Sequence, residues 1–592
     1  MIAYGACIMS LSTNELFQQA LQHLKSNELR LAEKCYLQII EQDPSNPEGY
    51  NNLGALARAR NELELAKSFF EKAFTVDPLF YRALHNYGKI LHIQNELELA
   101  KTYYQRSIDL QPSFAIAYND LGVILQIQNH FVEAQEKFQQ AIKLNPNYAD
   151  AYNNLGIAFH KQKFYPEAIE CYQEAISLNP NFSKAYNNLG ITLYRENKPE
   201  EAKLYFDVSA DIDPNCAETY YYLGMIAWDY DDEETAEQHF QKALELDPLN
   251  ANLHQNLGYI CYAEHKFEQA RKAYLTALEI DPQNYEVKKN LSHLLLTLGE
   301  WDQGWELYEW RLKGGETIIN PREFTVPRWA GENLDNKTLL IQGEQGYGDV
   351  IFFARFIPFL KQKYQVKIIF EIQPALRKLC ECIEGVDCFL DFNEPLPGFD
   401  YHTPLMSIPL SLQLKIETIP PFIPYITSDT TYDRLLPSTQ NNPNSKVGVV
   451  WACNQDSLNA KARTCPFDIF KEIFSATNCE FYGLQVGEKA KFLQDLHLSH
   501  VHDLSPQLVD FTDTAKAIMQ LNLIVTIDTS VAHLAAAMGK PVWLLHSYTP
   551  EWRWLLDRTD SPWYPTVRIF RQPKMHDWQS IIQEVTQLLK GL

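Results

Sequence analysis

Three loops carry the residues of this chain whose types and spacing suit phosphate and sugar chemistry. Asp528-Thr529-Ser530 follows the apolar run LNLIVTI, and VAHLAAAM continues as a helix that Gly539 ends before PVWLLH. A carboxylate, two hydroxyls and helix-opening amides at a strand end suit a phosphate or diphosphate. His533 falls in the first turn of that helix, as a ligand contact or as a structural polar contact. The second loop, Gly343-Glu344-Gln345-Gly346-Tyr347-Gly348-Asp349, lies between TLLIQ and VIFFARFIPFLKQ. Gly343, Gly346 and Gly348 allow a tight turn and close backbone approach to a ligand. Their order is neither G-x-G-x-x-G nor a Walker loop, which disfavours a dinucleotide enzyme or P-loop NTPase. Asp349 is a candidate base or simply a helix cap; Glu344 is a second carboxylate on the loop, and the two are not ranked.

The third loop, Asn454 to Arg463, follows KVGVVWA and precedes a helix starting near Pro466. Its Lys461 and Arg463 form either counter-charges for a departing diphosphate or a solvated basic stretch. Trp552-Arg553-Trp554 and Ser561-Pro562-Trp563-Tyr564 supply aromatics that stack on a base or sugar, or pack in a core.

These loops need a parallel α/β scaffold. TLLIQ, VKIIFEI, KVGVVWA, CEFYGLQ, LNLIVTI and PVWLLH alternate with helix-length segments, and ligands of such sheets bind at strand carboxyl ends. All this chemistry lies in the second half of the chain.

The first half is periodic. Pro44, Pro78, Pro112, Pro146, Pro180, Pro214, Pro248 and Pro282 recur every 34 residues, as do Gly54 to Gly258 and Ala32 to Ala270. Small residues at fixed places let two helices approach, and the proline stops the second helix of each unit. The pattern predicts eight clear repeats and a degenerate ninth over residues 13–313, after a tail at 1–12. A Gly-, Pro- and Asn-rich connector follows at 314–335, then α/β halves at 336–425 and 440–592.

AYNNLGIAFHKQKFYPEAIECYQEAISLNPN (Ala151 to Asn181) resembles the tetratricopeptide repeat, which implies a right-handed superhelix with a peptide-holding groove. Asn52, Asn86, Asn154, Asn188, Asn256 and Asn290 share one position, filled by Asp120 and Tyr222 in two other repeats. In the family it faces the groove. There the amides either bind peptide backbone as an acceptor groove or satisfy neighbouring repeats.

GDVIFFARFIPFL and VTIDTSVAHLAAAMGKPVWLL are similar to paired motifs of the heptosyltransferase-like family 9 glycosyltransferases. The fold expected is therefore an α-solenoid of tetratricopeptide repeats followed by a GT-B-like pair of Rossmann-like halves. The resemblance implies inverting sugar transfer without a required metal or cofactor. A nucleotide sugar, UDP- or ADP-linked, is the substrate. By motif match Asp349 is the base, Lys461 or Arg463 the phosphate partner, and Asp528 to Ser530 the diphosphate and sugar site. Ser530 replaces the family's usual glycine, and the first half is short, so the family's acceptor contacts are not implied.

The arrangement is similar to O-linked N-acetylglucosamine transferases, so a protein or peptide acceptor in the repeat groove is expected. The alternatives are an interaction scaffold with a non-catalytic module, and a glycan-directed transferase whose repeats dock a partner. A net charge of −23 disfavours nucleic acid as partner, and no apolar run suits a membrane span. Eleven scattered cysteines without zinc-site spacing, and no signal-peptide pattern, give a cytoplasmic protein with reduced thiols as the expectation.

Overall fold

A computed structural model describes residues 11–230, 232–313, 322, 324–344, 346–392, 394–427, 436, 444–453 and 460–592, the side chains of Glu233 and Lys461 excepted. The chain forms two compact units, Met1–Pro248 and Leu249–Leu592.

In the first unit the 34-residue period becomes a run of helix pairs, from Thr13–Lys25 and Leu29–Gln42 to Ala217–Asp229 and Glu233–Leu246. From the second pair on, each closes on one contact. The repeat glycine faces an aromatic ring of the second helix, so a Cβ at Gly156 would lie 2.6 Å from the Tyr172 ring and at Gly122 2.6 Å from Phe138. The two helices are held this close by that missing methyl. The connecting turns repeat as well: Asn27, Asn61, Asn95, Asn129, Lys163 and Asn197 adopt left-handed backbone, which asparagine tolerates well. No helix of the described residues is long and apolar enough to cross a membrane.

The second unit begins with two further pairs, Ala251–Ala263 with Phe267–Ile280 and Tyr285–Thr297 with Trp301–Tyr308, the last ending in a 3-10 turn, Glu309–Lys313. The last of these pairs, Tyr285–Thr297 with Trp301–Tyr308, lies at the expected ninth repeat. The expected boundary at 313 is corrected, because these pairs share a core with the α/β region. Trp301 stacks on Trp563 with centroids 5.5 Å apart, and Trp305 meets Trp552 edge-on at 5.3 Å. Phe352 and Phe353 join the same cluster. The connector is also corrected where it is described: Trp329 is fully buried and its amide donates to His402 O at 2.9 Å, so the segment packs on the first sheet. Residues 314–321 and 323 lie outside the described residues.

Two parallel sheets follow. The first has β1 (Thr338–Gln342), β2 (Lys367–Ile372), β3 (Cys388–Asp391) and β4 (Tyr401–Pro404) in order β3-β2-β1-β4. The second has β5 (Ser445–Val450), β6 (Cys479–Gly483), β7 (Val501–Asp503), β8 (Leu523–Ile527), β9 (Val542–His546) and β10 (Val567–Arg571) in order β10-β9-β8-β5-β6-β7. Each sheet reverses winding once, between β1 and β4 and between β5 and β8. Such switch points open a crevice at the strand carboxyl ends. The central strands β2 and β8 are buried on both faces, as in helix-covered parallel sheets.

Candidate active site

The loops after β5 and β8 meet at the switch point of the second sheet. Asp528 ends β8, and Arg463, in the short helix Ala460–Arg463 after β5, brings Nη2 to 3.4 Å from its Oδ2. Arg463 also donates to the carbonyl of Asp528. Thr529 occupies the N-cap position of the helix Ser530–Ala537 without a side-chain cap bond, and the first amides of a helix have no partner within it. Lys461 shares the short helix, but its side chain and the loop 454–459 lie outside the described residues.

The glycine loop approaches from the first half. Gly346, at φ +89°, precedes the helix Tyr347–Phe353, and a Cβ there would lie 2.5 Å from Asp349 Oδ2. A Cβ on Gly343 would lie 3.0 Å from Glu371 O, because its amide donates to that carbonyl at 2.7 Å. Gly348 lets the two halves touch: a Cβ would sit 3.2 Å from His533 Cδ2 and 3.4 Å from Ser530 Cα. Asp349 is thereby set beside the second half, where its Oδ1 accepts from Arg553 Nη2. One third of the Asp349 side chain remains exposed.

Glu344 has a different place. It is fully buried, accepting from Arg311 Nε and Nη2, each at 2.9 Å, and from the Met406 amide at 2.9 Å. Both oxygens are engaged in a bond between the ninth repeat and the first sheet's own switch point. This corrects its candidacy as a base: Glu344 is an anchor.

His533 is buried, stacks on Trp554 at 5.3 Å and reaches Tyr564 Oη at 3.3 Å through Nδ1. Burial, with the charges of Arg553 and Arg355, pushes it down to about 3, so it is neutral. Its 3.7 Å approach to Asp528 is therefore a contact and not an ion pair. Burial opposes the charge on Asp528, yet Arg463, then His533 and His546 once acid protonates them, and Arg553 outweigh it and bring that carboxyl down to about 2. Burial pushes Glu551 the other way, up to about 7, aided by Asp528 and Asp349 and opposed by Arg553.

Arg553 is the residue that sequence reasoning missed. The Trp-Arg-Trp segment drew notice for its rings, but Trp552, Trp554 and Trp563 are all under 2% exposed and are core. The signal lay between them: an arginine flanked by two core indoles must point its charge into a cavity or a partner.

Three members of the asparagine series bond within the solenoid. Asn86 donates to Asn51, Asn154 to Asn119 and Asn188 to Asn153, each at 2.9 Å and each across one repeat boundary. His85 Nε2 lies 2.8 Å from Asp120 Oδ2 and makes the same rung. Of the expected acceptor contacts, Asn86, Asn154 and Asn188 thus spend a donor on the solenoid itself. Asn52, Asn256 and Asn290 are half-buried at the same position.

The comparisons agree with tetratricopeptide repeats followed by a region similar to glycosyltransferase family 9. Tetratricopeptide repeat models match residues 35–68, 81–114, 127–163, 149–182, 171–203, 217–248 and 251–284. The model of glycosyltransferase family 9 (heptosyltransferase) matches 488–585, a span that holds Asp528, His533, Glu551 and Arg553. Among curated proteins the chain is similar to Protein FlbA of Caulobacter vibrioides, 24% identical over 325 residues, 50% of this chain and 53% of that protein. The chain thus spans about half the length of this relative. Among solved structures it is similar to PilF of Pseudomonas aeruginosa (TM-score 0.32, 24% identity, 35% of this chain and 94% of that one). It is also similar to YrrB, described as a repeat protein with an unusual peptide-binding site (TM-score 0.27, 23%, 31% and 95%).

Proposed function

We propose that the second unit is an inverting glycosyltransferase that moves a sugar from a nucleoside diphosphate to a hydroxyl of a polypeptide. One observation carries this reading: Asp349 of the first half meets Arg553, with Arg463 and the Ser530 helix end at the switch point of the second. A diphosphate held by the helix amides and the arginines has its negative charge matched where it grows. The acceptor oxygen attacks the anomeric carbon from the opposite face. Asp349 takes the hydroxyl proton, the carbon–oxygen bond to phosphate breaks, and its electron pair leaves with the diphosphate. Protein side chains serve as the counter-charge, without a required metal. Repeat solenoids commonly hold polypeptides, which supports a protein acceptor. Because the asparagine rungs are internally bonded, much of its recognition falls to other groove residues.

The test is a thermal-shift screen of UDP, ADP, GDP and CMP, followed by hydrolysis of the matching sugar donor and mass spectrometry of co-expressed proteins. A stabilising nucleotide and a hexose or N-acetylhexosamine adduct support the reading. Binding without turnover in native protein favours a non-catalytic module, and turnover without a protein adduct favours a glycan acceptor.

A further inference from the structure

The cleft sets three carboxylates, Asp349, Asp528 and Glu551, against the guanidiniums of Arg463 and Arg553. Arg463 is committed to Asp528 through both its carboxylate and its carbonyl. Arg553 is divided: Nη1 binds Glu551 and Nη2 binds Asp349 of the other half. Its guanidinium lies over the faces of Trp552 and Phe352, 4.4 and 5.6 Å from their centroids. The backbone beneath it is anchored from the repeats: Tyr262 Oη donates to Pro550 O at 3.1 Å, and His265 Nε2 lies 2.9 Å from Tyr548 O. Exchange of partners is therefore left to the Arg553 side chain. A guanidinium fork suits phosphate oxygens as well as carboxylates, and a prong spent on Asp349 is not available to a diphosphate.

Resting on the glycosyltransferase reading above, we propose that Arg553 is a donor-sensing positioning residue, which holds Asp349 until a nucleoside diphosphate takes its place. A diphosphate entering at the Ser530 helix end draws the fork away and leaves the Asp349 carboxylate open to an acceptor hydroxyl. Donor and acceptor then act in order, donor first.

The test is calorimetric titration of UDP, ADP and GDP, and of their monophosphates, into the full chain and four variants: Asp349→Asn, Arg553→Gln, Arg553→Lys and Asp349→Asn with Arg553→Gln. Asp349→Asn removes the competitor and tightens diphosphate binding about tenfold, and Arg553→Gln weakens it about tenfold. In the double variant the gain from Asp349→Asn disappears, as coupling through one guanidinium requires. Monophosphates respond less to residue 553. Arg553→Lys keeps the charge without the fork and falls between native and Gln; with Asp349→Asn it replaces Gln in the cycle if that variant does not fold. Equal diphosphate affinity in native protein and both Arg553 variants overturns the proposal and leaves the glycosyltransferase reading standing. A gain from Asp349→Asn that persists without Arg553 overturns it too. Native protein that binds none of the three diphosphates overturns both.

Discussion

Tyr262 and Pro550 are 288 residues apart, yet the phenol of the first donates to the carbonyl of the second at 3.1 Å. The same oxygen lies 2.8 Å from Thr297 Oγ1. The eighth and ninth helix pairs thus support the loop that carries Glu551 and Arg553, and they belong to the unit that holds the candidate site.

Separate expression of the two units checks that assignment. A fragment of residues 249–592 unfolds in one cooperative transition, as read by circular dichroism. A fragment starting at residue 314 lacks Trp301, Trp305 and Tyr308, leaves Trp552 and Trp563 uncovered, and aggregates.

Asp349→Asn separates base from scaffold. Proton transfer by a positioned side chain is worth roughly 10²–10⁴-fold in rate, so sugar transfer falls by that range while the diphosphate still binds. Rapid-quench kinetics with the donor identified by thermal shift measures it. Undiminished transfer removes Asp349 from the mechanism.

Glu344→Gln gives the opposite pattern. It removes one of the carboxylates paired with buried Arg311 and leaves Glu309 at 3.0 Å, so the loss lies at or below the lower end of the about 3–5 kcal/mol that broken buried pairs cost. Urea denaturation of residues 249–592 reads the loss. Protein that stays folded binds the diphosphate as native protein does, because Glu344 faces the repeats and not the cleft.

Acid stability follows from four groups. Burial holds His293 and His533 near 3 and His546 near 4, against an ordinary 6.5, and holds Glu551 near 7 against 4.5. Below pH 6.5 the unfolded chain takes up imidazole protons that the native state refuses, so stability drops as pH falls. Glu551 acts oppositely, since the native state holds its proton first. Three protons against one leave a net loss of about 3 kcal/mol per pH unit between 6.5 and 4.5 from these groups. Thermal unfolding across that window measures it, and His293→Gln lowers the slope by about 1.4 kcal/mol per pH unit. A flat profile refutes the neutral histidines.

Six strands were legible because each is a run of buried apolar residues between turn signals. β3, β4, β7 and β10 were not: YHTP carries His, Thr and Pro, VHD is three residues long, and Cys388–Asp391 is only half-buried. They act as strands through their neighbours, which no local pattern encodes. Asp528 and Arg463 were legible because each follows a clear strand. Arg553 was not, since its meaning depends on Asp349, 204 residues earlier and in the other half. Glu344 was misplaced for the same reason: Arg311 sits in a repeat, outside the α/β pattern altogether.

The rungs between repeats join residues 35 apart, one more than the period. Asparagine at both ends makes the Asn51–Asn86, Asn119–Asn154 and Asn153–Asn188 joints interchangeable. A repeat duplicated within the gene would find its neighbours already complementary on both sides. The His85–Asp120 joint differs, because neither side chain pairs the same way with a copy of itself. The solenoid is therefore free to lengthen by duplication where asparagine meets asparagine, and resists it where histidine meets aspartate.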